Sequence, residues 1–515
     1  MLFKRGNKGE SGIQDLSFLQ IVIIILGALA ISIFMMEIQN TDYGNKWIVS
    51  VFLGLVGGIV LLLVDDRKTL LFGVLAFLSF LSFDIVLRDV GNVRIHKVSP
   101  LTFSADDIVL GILYLIWWID IFKKRGSKEK IIFFYAPLIF FILFMGWSLI
   151  GAKRSFIKNM AFNRETIYIR QILLVFYLIN NINSFKHIKA ILIGAAFAMM
   201  LHSSIGFAQK ATGRVINIPL IGGRSEEVAG GTAERSLVTS EGKSEERIEG
   251  AAGHPNAMAR LLSLYLPVFL FLVLFYKLDP LLKLILSASA LMSLLAIALT
   301  LSRSGWIALY VSLAIGFLIV AFQLKKVFTL VLLAIVLQAI VFLPIVLTEN
   351  PISQRIFNAE ESFNQQSGSA FARVAHAEIA WNYIKHNPIL GVGMMNFEDF
   401  LRVYDNTKYQ IAWTHPTTIH ITYLYYACED GIPAMIFIVL MYGFIMYYGL
   451  KAGMTHPNFL ARLIAIGLVS GILSSIIALT YTIYIFSDLK SIWLPVGIIS
   501  SIYLRPHLFY SKQLK

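Results

Sequence analysis

The sequence predicts an all-α, polytopic membrane protein of about 12–14 transmembrane helices with a long, partly helical extracytoplasmic loop. Hydrophobic residues make up 57% of the 515 residues and charged residues only 15%, whereas a soluble domain has about a quarter of its residues charged. The apolar residues form segments of about 20, the length that an α-helix needs to cross the hydrocarbon core. The contents of 36 Gly and one Cys exclude collagen-like and disulfide-rich scaffolds.

About 14 segments of the chain are long and apolar enough to span a bilayer. The third and the last are short, so a count of about 12 or 13 stays open. The first is longer than the apolar region of a cleaved signal peptide and no small-residue cleavage site follows it, so we expect it to be a span. The segments lie near 17–38, 47–64, 69–87, 105–122, 131–150, 165–183, 187–208, 256–276, 281–301, 305–322, 327–347, 431–450, 460–483 and 490–504.

The distribution of Lys and Arg predicts that both termini are cytoplasmic. With the N-terminus inside, the inner segments carry more Lys and Arg than the short outer loops, as in the run from Lys123 to Lys130. The net charge of +13 then has two explanations, which are loop charges that set the topology and a site for an anionic substrate. We therefore expect membrane lipids as partners and no nucleic acid.

Two long segments interrupt the pattern of spans, and both face outward in this topology. The first is rich in Gly, Ser and Glu and is typical of a mobile loop or lid. The second contains a helical pattern that ends at Pro388 and a Gly-Val-Gly turn. The predicted division is N-terminal transmembrane helices (1–208), an extracytoplasmic loop (209–255), transmembrane helices with Arg303 (256–347), a large extracytoplasmic loop with a re-entry segment (348–430) and C-terminal transmembrane helices (431–515).

Several Lys and Arg residues lie on the outer side, where the positive-inside rule disfavours them. They are either solvated surface residues or a site for a multiply charged anion, for which the planar Arg fork is suited. Arg303 lies in a tight turn between two apolar spans, and Arg373 begins a helical stretch that runs on to Trp381. Arg170 lies within a span, where a charge either pairs, for example with Asp84, or faces a cavity.

Four histidines, His376, His386, His415 and His420, lie in or at the end of the second long loop. Their separations are not those of a zinc site and no Cys accompanies them, so we expect neither a metal ion nor another cofactor. His420 precedes a segment that returns to the membrane. It is either a general base, because the pKa of His lies near neutral pH, or an interfacial residue with satisfied hydrogen bonds.

Four short motifs occur in order along the second half of the chain. They are Ala252–Asn256, Leu301–Gly305, Arg373–Gly393 and His420–Ile432. The motifs resemble those of the O-antigen ligase and O-antigen polymerase superfamily of bacterial envelope glycosyltransferases. The resemblance includes their order and the long loop between the second and the fourth. The first 200 or so residues match this superfamily only as a run of spans.

The resemblance implies a GT-C-like enzyme that takes a glycan from a polyprenyl diphosphate, such as undecaprenyl diphosphate, on the outer face of the bacterial inner (plasma) membrane. It implies an inverting transfer to an acceptor hydroxyl without a metal ion. By motif match, Arg303 and Arg373 would hold the diphosphate as it leaves, and His420 would take the proton from the acceptor. Further substrate-binding candidates are Arg247, Arg154, His254, Asn256 and Arg170.

The acceptor stays open within the superfamily. A polymerase moves the growing chain onto another lipid-linked repeat unit, whereas a ligase moves the finished chain onto lipid A core or another acceptor, and the motif residues are shared by both. The alternative outside the superfamily is a polytopic transporter or a lipid-linked oligosaccharide flippase. Transporters commonly have internal repeats and a site at mid-membrane, whereas here no repeat is found and the candidate residues cluster at the outer edge.

Overall fold

The computed structural model describes residues 66–81, 84–88, 101–123, 130–156, 158–214, 216, 236–238, 244–325, 369–408, 410–414, 419, 421–479 and 490–510. Among these residues, seven helices are long and apolar enough to cross a membrane. This finding confirms the predicted all-α, polytopic fold class. The predicted spans 17–38, 47–64 and 327–347 lie outside the described residues.

The N-terminal part of the described chain consists of helices and two pairs of short antiparallel strands. In chain order its elements are α1 (Arg67–Leu78), β1 (Asp84–Arg88), β2 (Leu101–Ser104), α2 (Ala105–Phe122), α3 (Ala136–Arg154), α4 (Lys158–Asn181), α5 (Phe185–Thr212), β3 (Ser236–Val238) and β4 (Ser244–Glu246). β1 pairs with β2, and β3 pairs with β4.

The third predicted span, 69–87, is wrong at its C-terminal end. The helix stops at Leu78, and Asp84 begins strand β1. Ser79 closes the last turn of α1, because its hydroxyl and its backbone N–H both donate to the Leu75 carbonyl. Such local bonds from Ser compete with continuation of a helix, and they were not visible in the hydropathy of the segment.

The regular elements described in the C-terminal part are all helices, with short helices between the longer ones. Its elements are α6 (Pro255–Ser263), α7 (Leu266–Phe275), α8 (Pro280–Leu299), α9 (Arg303–Gln323), α10 (Ser369–His386), α11 (Phe397–Phe400), α12 (Ile411–Thr414), α13 (Thr422–Glu429), α14 (Gly431–Thr455), α15 (Phe459–Ala478) and α16 (Trp493–Leu504). Single 3₁₀ turns, Lys490–Ile492 and Pro506–Phe509, flank α16.

Polar side chains at the helix starts explain where several of the spans begin. Asp279 accepts from the Leu282 amide at 2.9 Å and caps α8, and Asn458 accepts from the Leu460 amide at 2.8 Å and caps α15. Ser104 and Asp107 form a reciprocal capping box at the start of α2. Each cap satisfies backbone donors that a helix end leaves without intrahelical partners.

The predicted span 256–276 is present, but a break at Leu264 and Tyr265 divides it into α6 and α7. Pro267 lies in the first turn of α7. Proline has no N–H to donate, and its ring clashes with the carbonyl four residues earlier, so a straight helix cannot continue through this position. Together, α6 and α7 are still long and apolar enough to form one membrane span.

Two helices form the centre of the bundle. α5 packs against α1 on one side and α8 on the other, and α15 packs against α7, α9 and α14. Leu463, Ile466 and Leu468 on successive faces of α15 are all buried. A helix that is apolar on every side is buried on every side, and this arrangement leaves the outward faces of α2, α3, α9 and α14 to present exposed apolar residues.

Candidate active site

Three of the predicted site residues meet at the turn between α8 and α9. Arg247 is buried, and its Nε donates to the Thr300 carbonyl at 2.8 Å. One of its terminal nitrogens donates to Asn256 Oδ1 at 2.9 Å. The backbone N–H of Asn256 in turn donates to Nδ1 of His254, which caps α6. Arg247, His254 and Asn256 therefore form a connected polar cluster that joins the start of α6 to the α8–α9 turn.

The same turn presents Arg303 as the first residue of α9. Leu301 has a φ of 50°, which a branched side chain adopts only when the surrounding structure requires it. Ser302 caps α9 by accepting from the Gly305 amide at 3.2 Å. Arg303 is half-buried in this position. The turn thus begins α9 with Arg303, three residues after the Thr300 carbonyl that Arg247 binds.

Arg373 lies near the start of α10 and is half-buried, whereas His376, one turn further on, is fully buried. The buried face of α10 packs against α13. The Cys428 thiol on α13 donates to the Ala380 carbonyl at 3.5 Å, and the Tyr383 hydroxyl donates to the Phe397 carbonyl. Helix α10, with Arg373, is therefore fixed relative to α13.

The segment 387–396, called here the glycine turn, follows α10 and is bonded to the end of α13. The Val392 amide donates to the Cys428 carbonyl at 2.8 Å, and the Gly393 amide donates to the Glu429 carbonyl at 2.9 Å. The third and fourth sequence motifs, which are about 30 residues apart along the chain, are thus one structural unit.

Gly431 makes the close contact within this unit. Its φ is 86°, and a Cβ atom placed there would lie 2.0 Å from the Ile389 carbonyl oxygen. The Ile432 amide donates to the Pro388 carbonyl at 2.8 Å. Only glycine combines a positive φ with so close an approach of two backbones, so this residue type is required where α13 passes into α14.

His420 lies outside the described residues, as do His415 and Thr418. Its neighbour Ile421 is described and precedes α13 directly. The Thr422 amide donates to the Leu479 carbonyl at the end of α15 with a distance of 3.1 Å. The start of α13 is therefore anchored, and the role of His420 stays a prediction.

Arg154 and Arg170 bind protein groups. Arg154, the last residue of α3, donates to the carbonyls of Leu390 and Gly391 at 3.3 and 3.0 Å and so holds the glycine turn. Arg170 on α4 pairs with Asp107 on α2. The predicted pairing with Asp84 concerns a side chain that lies outside the described part of the structure.

Arg170 also lines a small pocket. The other polar residues of this pocket are Asp106, Asp107, Gln171 and Lys490, and Lys490 pairs with Asp106 at 3.3 Å. In the described structure Arg170 thus has a charge partner and also lines a pocket, and a role in substrate binding stays a prediction.

A buried charged cluster, comprising Arg164, Glu165, Glu429 and Asp430, was not identified from the sequence. Arg164 lies 3.4 Å from Glu429 and donates to the Tyr425 hydroxyl at 3.2 Å. All four charged side chains are at most 3% exposed. The sequence did contain one signal for this cluster. Two adjacent pairs of charged residues, Arg164-Glu165 and Glu429-Asp430, each precede an apolar stretch, and they include opposite charges that could pair.

The Glu429 carboxylate also accepts from the Phe397 amide at 3.3 Å, so it ties α11 to α13. This contact gives Glu429 a structural role at the end of α13. Burial raises the pKa of the Glu429 carboxyl, and the neighbouring Arg164 acts in the opposite direction. For Asp430, burial and the nearby Glu429 both raise the pKa of the carboxyl well above its usual range.

The fold and these contacts define a multi-pass membrane protein with one polar cluster at the α8–α9 turn and another where the glycine turn meets α3 and α13. Residues 288–439 match the family model described as O-antigen ligase. The match covers under a third of the chain, and it agrees with the resemblance carried by the motifs from Leu301 to Ile432. The match supports a membrane glycosyltransferase of O-antigen ligase type in polysaccharide biosynthesis. No curated protein matches the chain.

The matched region contains Arg303, Arg373, His420 and Glu429. Arg247, His254 and Asn256 precede it, and they are joined to it by the contact with the Thr300 carbonyl. The structure therefore adds to the matched region a polar cluster that comes from an earlier part of the chain.

Proposed function

We propose that the protein transfers a glycan from a polyprenyl diphosphate carrier to an acceptor hydroxyl at the outer face of the inner (plasma) membrane. The observation that carries the proposal is the union of the third and fourth motifs in one packed unit. The α8–α9 turn holds Arg303, and α10 with Arg373 packs on α13, which begins two residues after His420. An arginine-rich site at a helix end suits a diphosphate at headgroup depth.

In the proposed reaction, the acceptor oxygen forms a bond to the anomeric carbon while the bond from that carbon to the diphosphate oxygen breaks. Attack from the opposite face inverts the anomeric centre. The diphosphate leaves with the bonding electrons, and the charge that develops on it is stabilised by the fixed guanidinium groups of Arg303 and Arg373. His420 takes the proton of the acceptor hydroxyl. This chemistry calls for neither a metal ion nor another cofactor.

The remaining candidates have supporting positions in this proposal. Arg247, His254 and Asn256 hold the α8–α9 turn through hydrogen bonds of about 3 Å and so orient Arg303. Arg154 orients the glycine turn behind Arg373. Arg170, paired with Asp107, lies on the α2–α4 side of the bundle, where we propose that it contacts the glycan or its carrier.

Product length tests the proposal. Purified protein receives a lipid-diphosphate-linked repeat unit alone, and then with a separate acceptor such as lipid A core. We expect a glycan product in at least one assay and its loss in the His420→Ala variant, because without a base the hydroxyl is a poor nucleophile. His386→Ala is the matched control, since His386 is exposed on the same outer segment and its ring bonds to its own helix at the Asn382 carbonyl.

The products distinguish the acceptors. A ladder of lengths from the donor alone identifies a polymerase, and transfer only in the presence of the separate acceptor identifies a ligase. If a verified native donor yields neither product, the transferase proposal is wrong and transport of the lipid-linked glycan becomes the leading function. Full activity in His420→Ala would leave the transferase in place and remove His420 as its base.

A further inference from the structure

Asp430 is a buried carboxyl at the junction between α13 and α14. Its side chain is 1% exposed, and neither of its carboxyl oxygens has a hydrogen-bond partner in the described structure. A Cβ atom placed on Gly151 of α3 would lie 2.3 Å from Asp430 Oδ1, so the carboxyl is pressed against the backbone of that helix. A carboxylate usually accepts several hydrogen bonds when it is buried, and this one accepts none.

The charged groups around Asp430 come from three elements. Helix α4 contributes Arg164 and Glu165, and α13 contributes Glu429. Helix α3 contributes Arg154, whose guanidinium is bound to carbonyls of the glycine turn. The first turn of α14 and the glycine turn itself contain no charged residue in the sequence.

The cluster has more carboxyls than cations, so its charges balance only if some of the carboxyls are protonated. Arg164 is the cation that faces the three carboxyls, and it is paired with Glu429. Glu165 accepts from the Ser148 hydroxyl, whereas Asp430 has no donor among the described groups. An ionised carboxylate without donors in a buried site is strongly unfavourable, so the group takes up a proton instead. Asp430 is accordingly the carboxyl of the cluster that is held uncharged.

We propose that Asp430 is a positioning residue for the proposed transfer, that its uncharged carboxyl keeps the junction of α3, α13 and the glycine turn closed, and that its ionisation opens this junction. The inference rests on the proposed function. Burial and the neighbouring Glu429 raise the pKa of Asp430 in the direction that this requires.

Two hydrogen bonds hold this junction together. The Trp147 indole donates to the Asp430 carbonyl at 2.9 Å, and the Met394 amide donates to the Gly151 carbonyl at 3.2 Å. These bonds connect α3 to both α13 and the glycine turn. A new negative charge between them, beside Glu429 and Glu165, separates α3 from α13 and the glycine turn, and the unit of α10 and α13 that carries Arg373 then shifts relative to α3.

The test compares pH profiles of transfer and of thermal unfolding for wild type and two neutral variants, Asp430→Asn and Asp430→Leu. We expect wild-type kcat to fall at alkaline pH by about tenfold per pH unit beyond the ionisation. Either neutral variant removes this alkaline limb and leaves the acid limb of the profile in place. Asp399→Asn is the matched control, because Asp399 is an exposed carboxyl on the same outer segment.

Unfolding gives a readout that needs no substrate. The native state binds the Asp430 proton more tightly than the unfolded state does, so wild-type stability falls as pH rises from the unfolded pKa towards the native one. The unfolding temperature of Asp430→Asn or Asp430→Leu relative to wild type should therefore increase with pH, and that of Asp399→Asn should not.

Three results would decide against parts of this proposal. An unchanged alkaline limb and an unchanged unfolding difference in both Asp430 variants would overturn it. If Glu165→Gln removes the alkaline limb and neither Asp430 variant does, the proton resides on Glu165. If the unfolding shift is present but no protein transfers glycan at any pH, the proposed function fails while the uncharged junction stands.

Discussion

Arg164 and Glu429 form an ion pair at 3.4 Å between side chains that are 3% and 1% exposed. The pair joins α4 to α13, and the Tyr425 hydroxyl accepts a second bond from the same guanidinium. Two buried charges gain little over two apolar groups, because their attraction mainly offsets the loss of hydration. Removal of one partner is different, since the other charge then stays buried without compensation.

We expect Arg164→Met and Glu429→Gln each to lower the free energy of unfolding by about 3–5 kcal/mol. The double variant should recover a large part of this loss, because no charge is then left alone. Thermal unfolding of the four proteins in detergent measures the coupling. Additive losses in the double variant would show that the two side chains act independently.

At the scale of helices, the approach of α15 to the α6–α7 break depends on Gly471. A Cβ atom at this position would lie 1.8 Å from the Leu264 carbonyl oxygen. The break at Leu264 and Tyr265 leaves this part of the backbone accessible to its neighbour, and a glycine lets the two backbones meet. Elsewhere on the same bundle, Gly443 in α14 has open space around its Cβ position.

The two glycines give opposite expectations for the same substitution. Gly471→Ala should destabilise the protein by about 1–3 kcal/mol, because a methyl group forces α15 away from the α6–α7 break. Gly443→Ala should be neutral or should stabilise by up to about 1 kcal/mol, since alanine favours the helix. Thermal unfolding of the two variants checks the difference, and equal effects would contradict the close contact.

For the whole molecule, the predicted topology places the site outside and both termini in the cytoplasm. Helix α14 has 25 residues and is about 37 Å long, enough to cross the bilayer. It starts beside the glycine turn and ends beyond Lys451. The lone cysteine, Cys428, is buried, and burial raises the pKa of its thiol well above its usual range, so it reacts little with alkylating reagents.

Single cysteines at the two ends test this orientation. In a Cys428→Ser background, Arg402→Cys lies on the exposed outer segment and Lys451→Cys on the exposed opposite end. We expect a membrane-impermeant maleimide to label the first in intact spheroplasts, and the second only after permeabilisation. The reverse pattern would place the site in the cytoplasm and would contradict a transfer at the outer face.

Much of this protein follows from its sequence. Hydropathy alone determines the fold class, because only a helix satisfies its own backbone in a bilayer. The motifs around Arg303, Arg373 and His420 predicted a resemblance to O-antigen ligases, which the family match over residues 288–439 supports. Each of these features depends on residues close together in the chain.

What the tertiary structure decided depends on residues far apart. The partner of Arg170, the joining of the glycine turn to α13 and the burial of Asp430 have no local signature. A hydropathy window treats Asp430 as a polar residue at a span end, and only the approach of Gly151 from α3 removes it from water. The sequence thus determined which segments are helices and which residues carry charge, whereas packing decided which charges are buried, paired or kept neutral. Burial changes the free energy of a charge far more than the identities of its chain neighbours do.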